Sequence, residues 1–207
     1  MDDCLSPTLP LQNAAMADPD TELMMRVRDG DREAFRQLIE RHQRSVIHFC
    51  SRSVGDAWEA EDIAQKVFLQ VYRSAGRYRP SAKFSTWLFT IVRNTTLNEL
   101  RRRQRHRVES MNQMSEETDG SGGRQFADRH AESPSSELQQ KELQAKLQEA
   151  IQALPENQRT ALTLLRYEEM SYEDIARVIG CSVSATKSLL HRAKETLKAK
   201  LRDYLVA

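Results

Sequence analysis

The sequence predicts an all-α fold of two small helical domains joined by a flexible acidic linker. Apolar residues recur at helical spacing in both halves of the 207-residue chain, and a strand-like alternation of β-branched residues is nowhere sustained. Hydrophobic residues make up 39% and charged residues 29% of the chain, with seven glycines and six prolines, which is typical of amphipathic helices. A chain of this length is expected to give each of two domains a small core.

The first domain is predicted over residues 20–106, after a loose tail at residues 1–19. The tail holds three prolines among small and polar residues and has no helical period. A short helix from Thr21 precedes a turn at residues 29–31. The apolar stripe of the next, longer helix consists of Phe35, Leu38, Ile39, His42, Val46 and Phe49. Gly55 and Asp56 then provide a stop and a new N-cap.

The helix after Asp56 is expected to bury one face and expose the other. The residues of the buried face are Ile63, Ala64, Val67, Phe68 and Val71. The residues of the exposed face are Glu61, Asp62, Gln65 and Lys66. This division follows from the 3.6-residue period of a helix.

A further helix is predicted from about Phe84, with Leu88, Ile91, Val92 and Thr95 toward the core. Its far end is basic and contains Arg101, Arg102, Arg103, Arg105 and Arg107. Trp87, Asn94 and Asn98 lie near one face of this helix. An aromatic ring beside amides and arginines can stack an unpaired base and neutralise its backbone. On spacing alone, Trp87 is more often a core residue, and this alternative stays open.

A flexible linker is predicted over residues 107–136, where Gly120, Gly122 and Gly123 stand among mainly acidic charges. The second domain is predicted over residues 137–207 and is short and helical. Its apolar period begins at Leu143, breaks at Pro155 and resumes at Leu162.

A helix-turn-helix is predicted from Ser171 onward. Ser171 is an N-cap with Asp174 three residues later, and Gly180 ends the first helix. Ala176 supplies a small side chain for close helix approach. The buried face of the second helix consists of Val183, Thr186, Leu190, Ala193 and Leu197. The opposite face carries candidate base and phosphate ligands, Ser184, Lys187, Ser188, His191 and Arg192. The competing interpretation is an ordinary helical hairpin with a solvated basic face.

Two sets of motifs resemble the σ factors of bacterial RNA polymerase, of the extracytoplasmic-function group. Residues 62–68 (DIAQKVF), 84–88 (FSTWL) and 94–95 (NT) are similar to σ region 2. Residues 154–159 (LPENQR), 171–176 (SYEDIA) and 187–193 (KSLLHRA) are similar to σ region 4. The motifs occur in the family's order and cover about residues 20–201.

The resemblance implies a non-enzymatic protein that gives core RNA polymerase its promoter recognition. The residues implied for docking on the β′ clamp helices are Glu61, Asp62 and Gln65. The residues implied for opening and reading the −10 element are Lys83, Phe84, Trp87, Asn94, Asn98, Arg101 and Arg102. The residues implied for reading the −35 duplex are Ser184, Lys187, Ser188, Leu189, His191 and Arg192. The second domain would also contact the β flap, and an anti-σ factor is a further expected partner.

The resemblance also implies a role for the linker and exposes two departures. The acidic Glu109, Glu116, Glu117 and Asp119 would occupy the path in polymerase that RNA later takes. Lys66 stands where the family usually has an acidic residue after the glutamine of its clamp-binding motif, which puts that contact in question. Leu189 stands where the family usually has arginine, and a thymine methyl is its expected partner.

Composition and motif searches argue against several other classes. The net charge is only +1, so DNA binding has to rest on local charge. Three widely spaced cysteines and an acidic N-terminus without a long apolar run predict a cytoplasmic protein without membrane insertion. His42, His48 and Cys50 are expected to be structural residues rather than a metal site. The sequence contains no phosphate loop or nucleophile motif, and no cofactor or enzymatic activity is predicted.

Two other functions remain as alternatives. A DNA-binding regulator that acts without polymerase would share the helix-turn-helix, but it has no need of the aromatic, amide and arginine surface at residues 84–103. A helical adaptor that binds only protein would leave its basic faces solvated, and steeply salt-dependent DNA binding would exclude it.

Overall fold

The computed structural model describes the backbone of residues 18–114 and 136–202 and the side chains of residues 18–106 and 142–202. All regular structure in these ranges is helical, which confirms the predicted fold class. Residues 1–17, most of the predicted linker and the last five residues lie outside this description. The proposed linker contact through Glu109, Glu116, Glu117 and Asp119 involves side chains outside it and stays a prediction. None of the described helices is long and apolar enough to cross a membrane.

Four helices and one 3-10 turn form the first domain. They are α1 (Pro19–Arg28), α2 (Arg32–Val54), α3 (Ala57–Ser74), the 3-10 turn (Ala75–Arg77) and α4 (Phe84–Met114). Asp31 and Asp56 cap α2 and α3 by accepting hydrogen bonds from backbone amides of the first turn. Gly55 ends α2 with a φ of 79°, a conformation that favours glycine. The predicted stop and cap at residues 55–56 are therefore confirmed.

Two features extend beyond the predicted ends of the first domain. Asp18 belongs to the fold, since its carboxylate accepts hydrogen bonds from Asp20 N at 3.2 Å and from Phe84 N at 2.9 Å. One side chain thus satisfies free amides at the starts of both α1 and α4. Helix α4 continues to Met114, eight residues past the predicted domain end at residue 106. Residue 18 is thus bonded to the first domain and residues 107–114 are helical, while the predicted domain bounds stay a prediction.

The buried face of α4 is also shifted from the predicted one. Leu88 and Val92 are buried as expected, but Ile91 and Thr95 are only half-buried. Phe89 is buried instead, with its ring edge-to-face on Phe49 at 5.7 Å between centroids. The shift arises because α4 packs against α2, α3 and a helix of the second domain, so its apolar stripe has to be wider than one face.

Four helices form the second domain, α5 (Ser136–Gln152), α6 (Glu156–Tyr167), α7 (Tyr172–Ile179) and α8 (Val183–Lys200). Ser171 Oγ accepts a hydrogen bond from Asp174 N at 3.1 Å, and Gly180 has a φ of 80° at the end of α7. Ser182 then caps α8 by accepting from Ala185 N at 3.1 Å. The capped, glycine-separated helix pair predicted from Ser171 onward is confirmed.

The two domains pack against each other through α4 and α7. Thr86 Oγ1 donates to Asp174 Oδ1 at 3.0 Å, and the two residues are only 3% and 7% exposed. Arg93 reaches Asn157 Oδ1 at 2.9 Å and Glu156 at 3.6 Å. The buried apolar residues of both domains form one continuous cluster. This contact was not predicted.

A second part of the domain contact joins α2 to the end of α6. The guanidinium of Arg52 lies 3.6 Å from the ring centroid of Tyr167, a cation–π contact. Burial raises the pKa of the neighbouring Glu168 carboxyl, while Ser45 and Arg52 of α2 act in the opposite direction. Polar as well as apolar groups therefore hold the domains together.

Candidate nucleic-acid and protein interfaces

Helix α8 presents a polar, one-sided surface to solvent. Thr186, Leu190 and Ala193 are buried against the second domain. The exposed residues on the other side include Ser184, Lys187, Ser188, His191 and Arg192. The structure therefore brings five of the six predicted −35 residues together on one exposed side of a single helix.

Leu189 departs from its predicted position. It is half-buried and packs against the hydrophobic core. The reason is its register, because position 189 follows Thr186 by three residues and precedes Ala193 by four, both of which are buried. The assignment of Leu189 to the DNA-facing side is therefore corrected.

A groove between α3 and α4 collects the two predicted amides. Asn94 and Asn98 are exposed and line this groove. The other lining residues are Lys66, Leu69, Gln70, Arg73, Ile91, Thr95 and Glu99. The sequence analysis missed Gln70 and Arg73, although with Lys66 they recur at spacings of four and three residues on one face of α3. We call this the amide groove.

The predicted aromatic residues serve the core instead. Phe84 is 1% exposed and packs near His42, Tyr78 and Trp87. Trp87 is half-buried and meets Tyr78 edge-to-face at 4.9 Å, and it is not among the residues that line the amide groove. Phe84 is therefore corrected to a core residue. The predicted role of Trp87 at the −10 element stays a prediction.

The predicted cations of the first domain are exposed. Lys83 Nζ lies 4.0 Å from Asp174 Oδ2, across the domain contact. Arg101 is exposed on α4, and Arg102 is paired with Glu99 at 2.8 Å. Positive charge is thus available at both ends of the described part of α4.

A second, apolar groove lies between α2 and α3. Two of the three residues predicted to dock on polymerase, Glu61 and Gln65, line this groove. The remaining lining residues are Phe35, Ile39, Gln43, Ile47, Ala64, Phe68 and Leu69. Leu69 is 56% exposed, so the apolar lining of this groove reaches the surface of the domain. Asp62 does not line this groove but pairs with Lys66 at 2.6 Å.

Two of the three residues considered as metal ligands, His42 and Cys50, have structural partners, and the third, His48, is exposed. His42 Nε2 lies 2.8 Å from Asp20 Oδ2, and Cys50 Sγ lies 3.5 Å from Thr96 Oγ1. Burial raises the pKa of the Cys50 thiol to about 11, so it stays protonated. Within residues 18–106 and 142–202, no three histidine, cysteine or acidic side chains form a group able to hold a metal.

The fold and these surfaces define a two-domain helical protein with a helix-turn-helix in its second domain. The families Sigma-70 region 2 and Sigma-70 region 4 match residues 38–106 and 144–197. The RNA polymerase sigma-H factor of Pseudomonas aeruginosa is 38% identical over 190 residues, which are 90% of this chain and 95% of that protein. The ECF RNA polymerase sigma-E factor of Haemophilus influenzae is 33% identical over 187 residues, 90% and 97% of the two chains.

A solved structure agrees with these matches. The sigma factor RpoE of Bartonella quintana, in complex with the anti-sigma factor NepR, superimposes with a TM-score of 0.59 at 26% identity, covering 81% of this chain and 96% of that one. The chain belongs to the sigma-70 family of RNA polymerase sigma factors, in its ECF group. Its function therefore lies in promoter-directed initiation of transcription.

Proposed function

We propose that this chain binds core RNA polymerase, reads a −35 duplex with α8 and opens the −10 element on the amide groove. The observation that carries this proposal is the presence, in one chain, of a polar helix-turn-helix face and a groove with two exposed amides. Run-off transcription on a genomic library, with purified core polymerase in the presence and absence of the chain, tests it. Promoter-specific starts that depend on the chain would support the proposal, and their absence would exclude it.

The −35 function is supported by the exposed cations of α8. Lys187→Ala or Arg192→Ala is expected to shrink the salt slope of −35 duplex binding by about one if the residue contacts a phosphate. If it contacts a base, the preference at one position should relax by about 1 to 3 kcal/mol. Fluorescence anisotropy with the full chain and duplexes carrying single base-pair changes separates these outcomes.

Lys198→Ala is the matched control for the two α8 variants. Lys198 is exposed on the same helix, about 16 Å further along the axis than Lys187, so it tests for a general charge effect. No change in −35 binding by either Lys187→Ala or Arg192→Ala would mean that this face of α8 does not read the duplex.

The −10 function is supported by the chemistry of the amide groove. Asn94 and Asn98 each offer a donor and an acceptor, which suit the edge of an unpaired base. Arg73 on α3 and Arg101 and Arg102 on α4 add positive charge for the strand backbone. In this proposal Phe84 and Trp87 stabilise the first turn of α4 by packing against each other and against Tyr78.

Docking on polymerase is assigned to the apolar groove and its rim. An exposed apolar groove with Glu61 and Gln65 at its edge suits a partner helix that offers apolar and basic side chains. The β′ clamp helices are the proposed partner, and the β flap is the proposed partner of the second domain. Asp62 lies one residue from Glu61 on the same exposed part of α3 and contributes charge.

Asp62→Arg is expected to weaken core polymerase binding about fivefold, or about 1 kcal/mol, because it reverses a charge at the interface. Folding should change by only about 0.5 kcal/mol, since the Asp62 side chain is 61% exposed. A pull-down titration and a thermal melt measure the two effects. Glu22→Arg, an equal charge reversal at an exposed site on α1, should bind core polymerase normally. Equal affinities for both variants would remove Asp62 from the docking surface.

An anti-σ factor is a further proposed partner. The support is the solved relative from Bartonella quintana, which is in complex with the anti-sigma factor NepR. A partner that covered the apolar groove would exclude polymerase, so a purified anti-σ candidate should displace the chain from core polymerase. Simultaneous binding of both would contradict competition for this groove.

A further inference from the structure

A chain of ion pairs connects α3 to α4. Lys66 Nζ lies 2.6 Å from Asp62 Oδ2 and 3.4 Å from Glu99 Oε1. Glu99 Oε2 in turn accepts from Arg102 Nε at 3.0 Å and Nη2 at 2.8 Å. We call Asp62, Lys66, Glu99 and Arg102 the charge chain. Its two ends belong to different proposed surfaces, because Asp62 is assigned to polymerase docking and Arg102 to the −10 strand.

The inner members of the charge chain are shared between partners. Lys66 stands between two carboxylates, and Glu99 stands between two cations. The Glu99 side chain is only 19% exposed, so its pairs are less screened than those of Asp62, which is 61% exposed. Hydrogen bonding to Asp62, together with the charge of Glu99, raises the pKa of Lys66 and keeps it protonated.

Two further observations favour a link between these helices. Arg103 Nη1 also forms an ion pair with Glu59 Oε2 at 2.6 Å, so ion pairs join α3 and α4 at two points. Lys66 is also the residue that departs from the family pattern. An acidic residue at position 66 would repel both Asp62 and Glu99, so the charge chain depends on this departure.

We propose that Lys66 and Glu99 are positioning residues that couple polymerase docking to the binding of the −10 strand. When polymerase binds the Asp62 carboxylate, the ion pair between Asp62 and Lys66 breaks, and Lys66 pairs with Glu99 alone. Glu99 then holds Arg102 less strongly, and Arg102 becomes available to a DNA phosphate. This coupling rests on the proposed function of both surfaces. Because exposed ion pairs are individually weak, the expected coupling is about two- to fivefold in affinity.

The test is a double-mutant cycle on a single-stranded, fluorescent −10 oligonucleotide. The full chain is titrated alone and with saturating core polymerase. Lys66→Met should lower the affinity of the holoenzyme about two- to fivefold, because Glu99 then holds Arg102 permanently. The same substitution should have no effect in a Glu99→Gln background, since the residue through which Lys66 acts is gone.

Arg73→Met is the matched control. Arg73 is a cation on the same helix and in the same groove but is not part of the charge chain. Its effect on DNA affinity should therefore be the same with Glu99 and with Gln at position 99. Core polymerase should also steepen the salt slope of the wild type by about 0.7, the value for one additional phosphate contact on a single strand. It should leave the slope of Lys66→Met unchanged.

The outcomes separate this coupling from the function on which it rests. Additive effects of Lys66→Met and Glu99→Gln on the affinity for the −10 oligonucleotide would overturn the coupling. If Arg102→Ala still lowers that affinity, the proposed −10 binding would stand. Full affinity of Arg102→Ala and Asn94→Ala would overturn both. Thermal melts of every variant exclude loss of folding as the cause.

Discussion

Holoenzyme with Asn94→Ala is expected to form roughly one to two orders of magnitude fewer open complexes than wild type, because a base contact is worth about 1 to 3 kcal/mol. Asn94 is exposed in the amide groove, and its amide oxygen accepts one weak hydrogen bond, from Arg93 at 3.4 Å. The substitution should therefore leave the core of the domain unchanged. Permanganate reactivity of unpaired thymines and the yield of run-off product measure the defect.

Two comparisons make the Asn94 experiment specific to strand opening. Binding to core polymerase and to the −35 duplex should be normal in Asn94→Ala. A template already mismatched across the −10 region should restore much of the activity, because the cost of unpairing has been removed. Equal defects on closed and mismatched templates would mean that Asn94 does not act in opening. Trp87→Ala is a poorer probe, since Trp87 packs on Tyr78 at 4.9 Å and its loss would disturb the core.

Thr86→Val is expected to shift the free chain toward an open arrangement of its two domains. The substitution removes the hydroxyl that donates to Asp174 at 3.0 Å, within a contact where both residues are buried. A hydrogen bond to a charged group contributes about 1.5 to 3 kcal/mol, so the contact should weaken tenfold or more. Small-angle scattering should report a larger radius of gyration, and amide exchange in α7 should accelerate.

Thr90→Val is the matched control for this experiment. The Thr90 hydroxyl donates to the backbone oxygen of Thr86 within α4, at 2.8 Å, and not to the second domain. It should therefore keep the wild-type radius of gyration. An unchanged radius in Thr86→Val as well would mean that the hydrogen bond to Asp174 does not hold the domains together.

The domain contact bears directly on promoter binding. By their names the −35 and −10 elements lie roughly 25 base pairs apart, or about 85 Å of duplex. In the structure, Thr86 of the first domain and Asp174 of the second domain are in hydrogen-bond contact. If the two domains read these two elements, as we propose, this contact has to break on the promoter, and Thr86→Val is expected to speed the assembly of promoter complexes.

Local features of this protein were determined by the sequence alone. The caps at Asp31, Asp56 and Ser171 and the turns at Gly55 and Gly180 were predictable, because each depends on side-chain chemistry within a few residues. The exposed face of α8 follows from the helical period as well, and the same period places Leu189, wrongly assigned to that face, beside the buried Thr186 and Ala193. The motifs of the two σ regions were likewise readable without coordinates.

Only the tertiary structure decided which faces are covered. Phe84 looked available for DNA, but His42 and Tyr78 of other parts of the fold pack against it. The groove that collects Asn94, Asn98 and Arg73 exists only where α3 crosses α4. Such juxtapositions depend on how complete helices pack, and helical period does not specify the partner on each face.

The long-range polar contacts were undetermined by sequence for a related reason. Lys66 looked like a defect in the docking motif, whereas the structure pairs it with Glu99 on another helix. Thr86 and Asp174 looked like parts of separate domains, whereas they form one buried hydrogen bond. Their chemistry is short-ranged, and only the folded chain brings residues so distant in sequence within its reach.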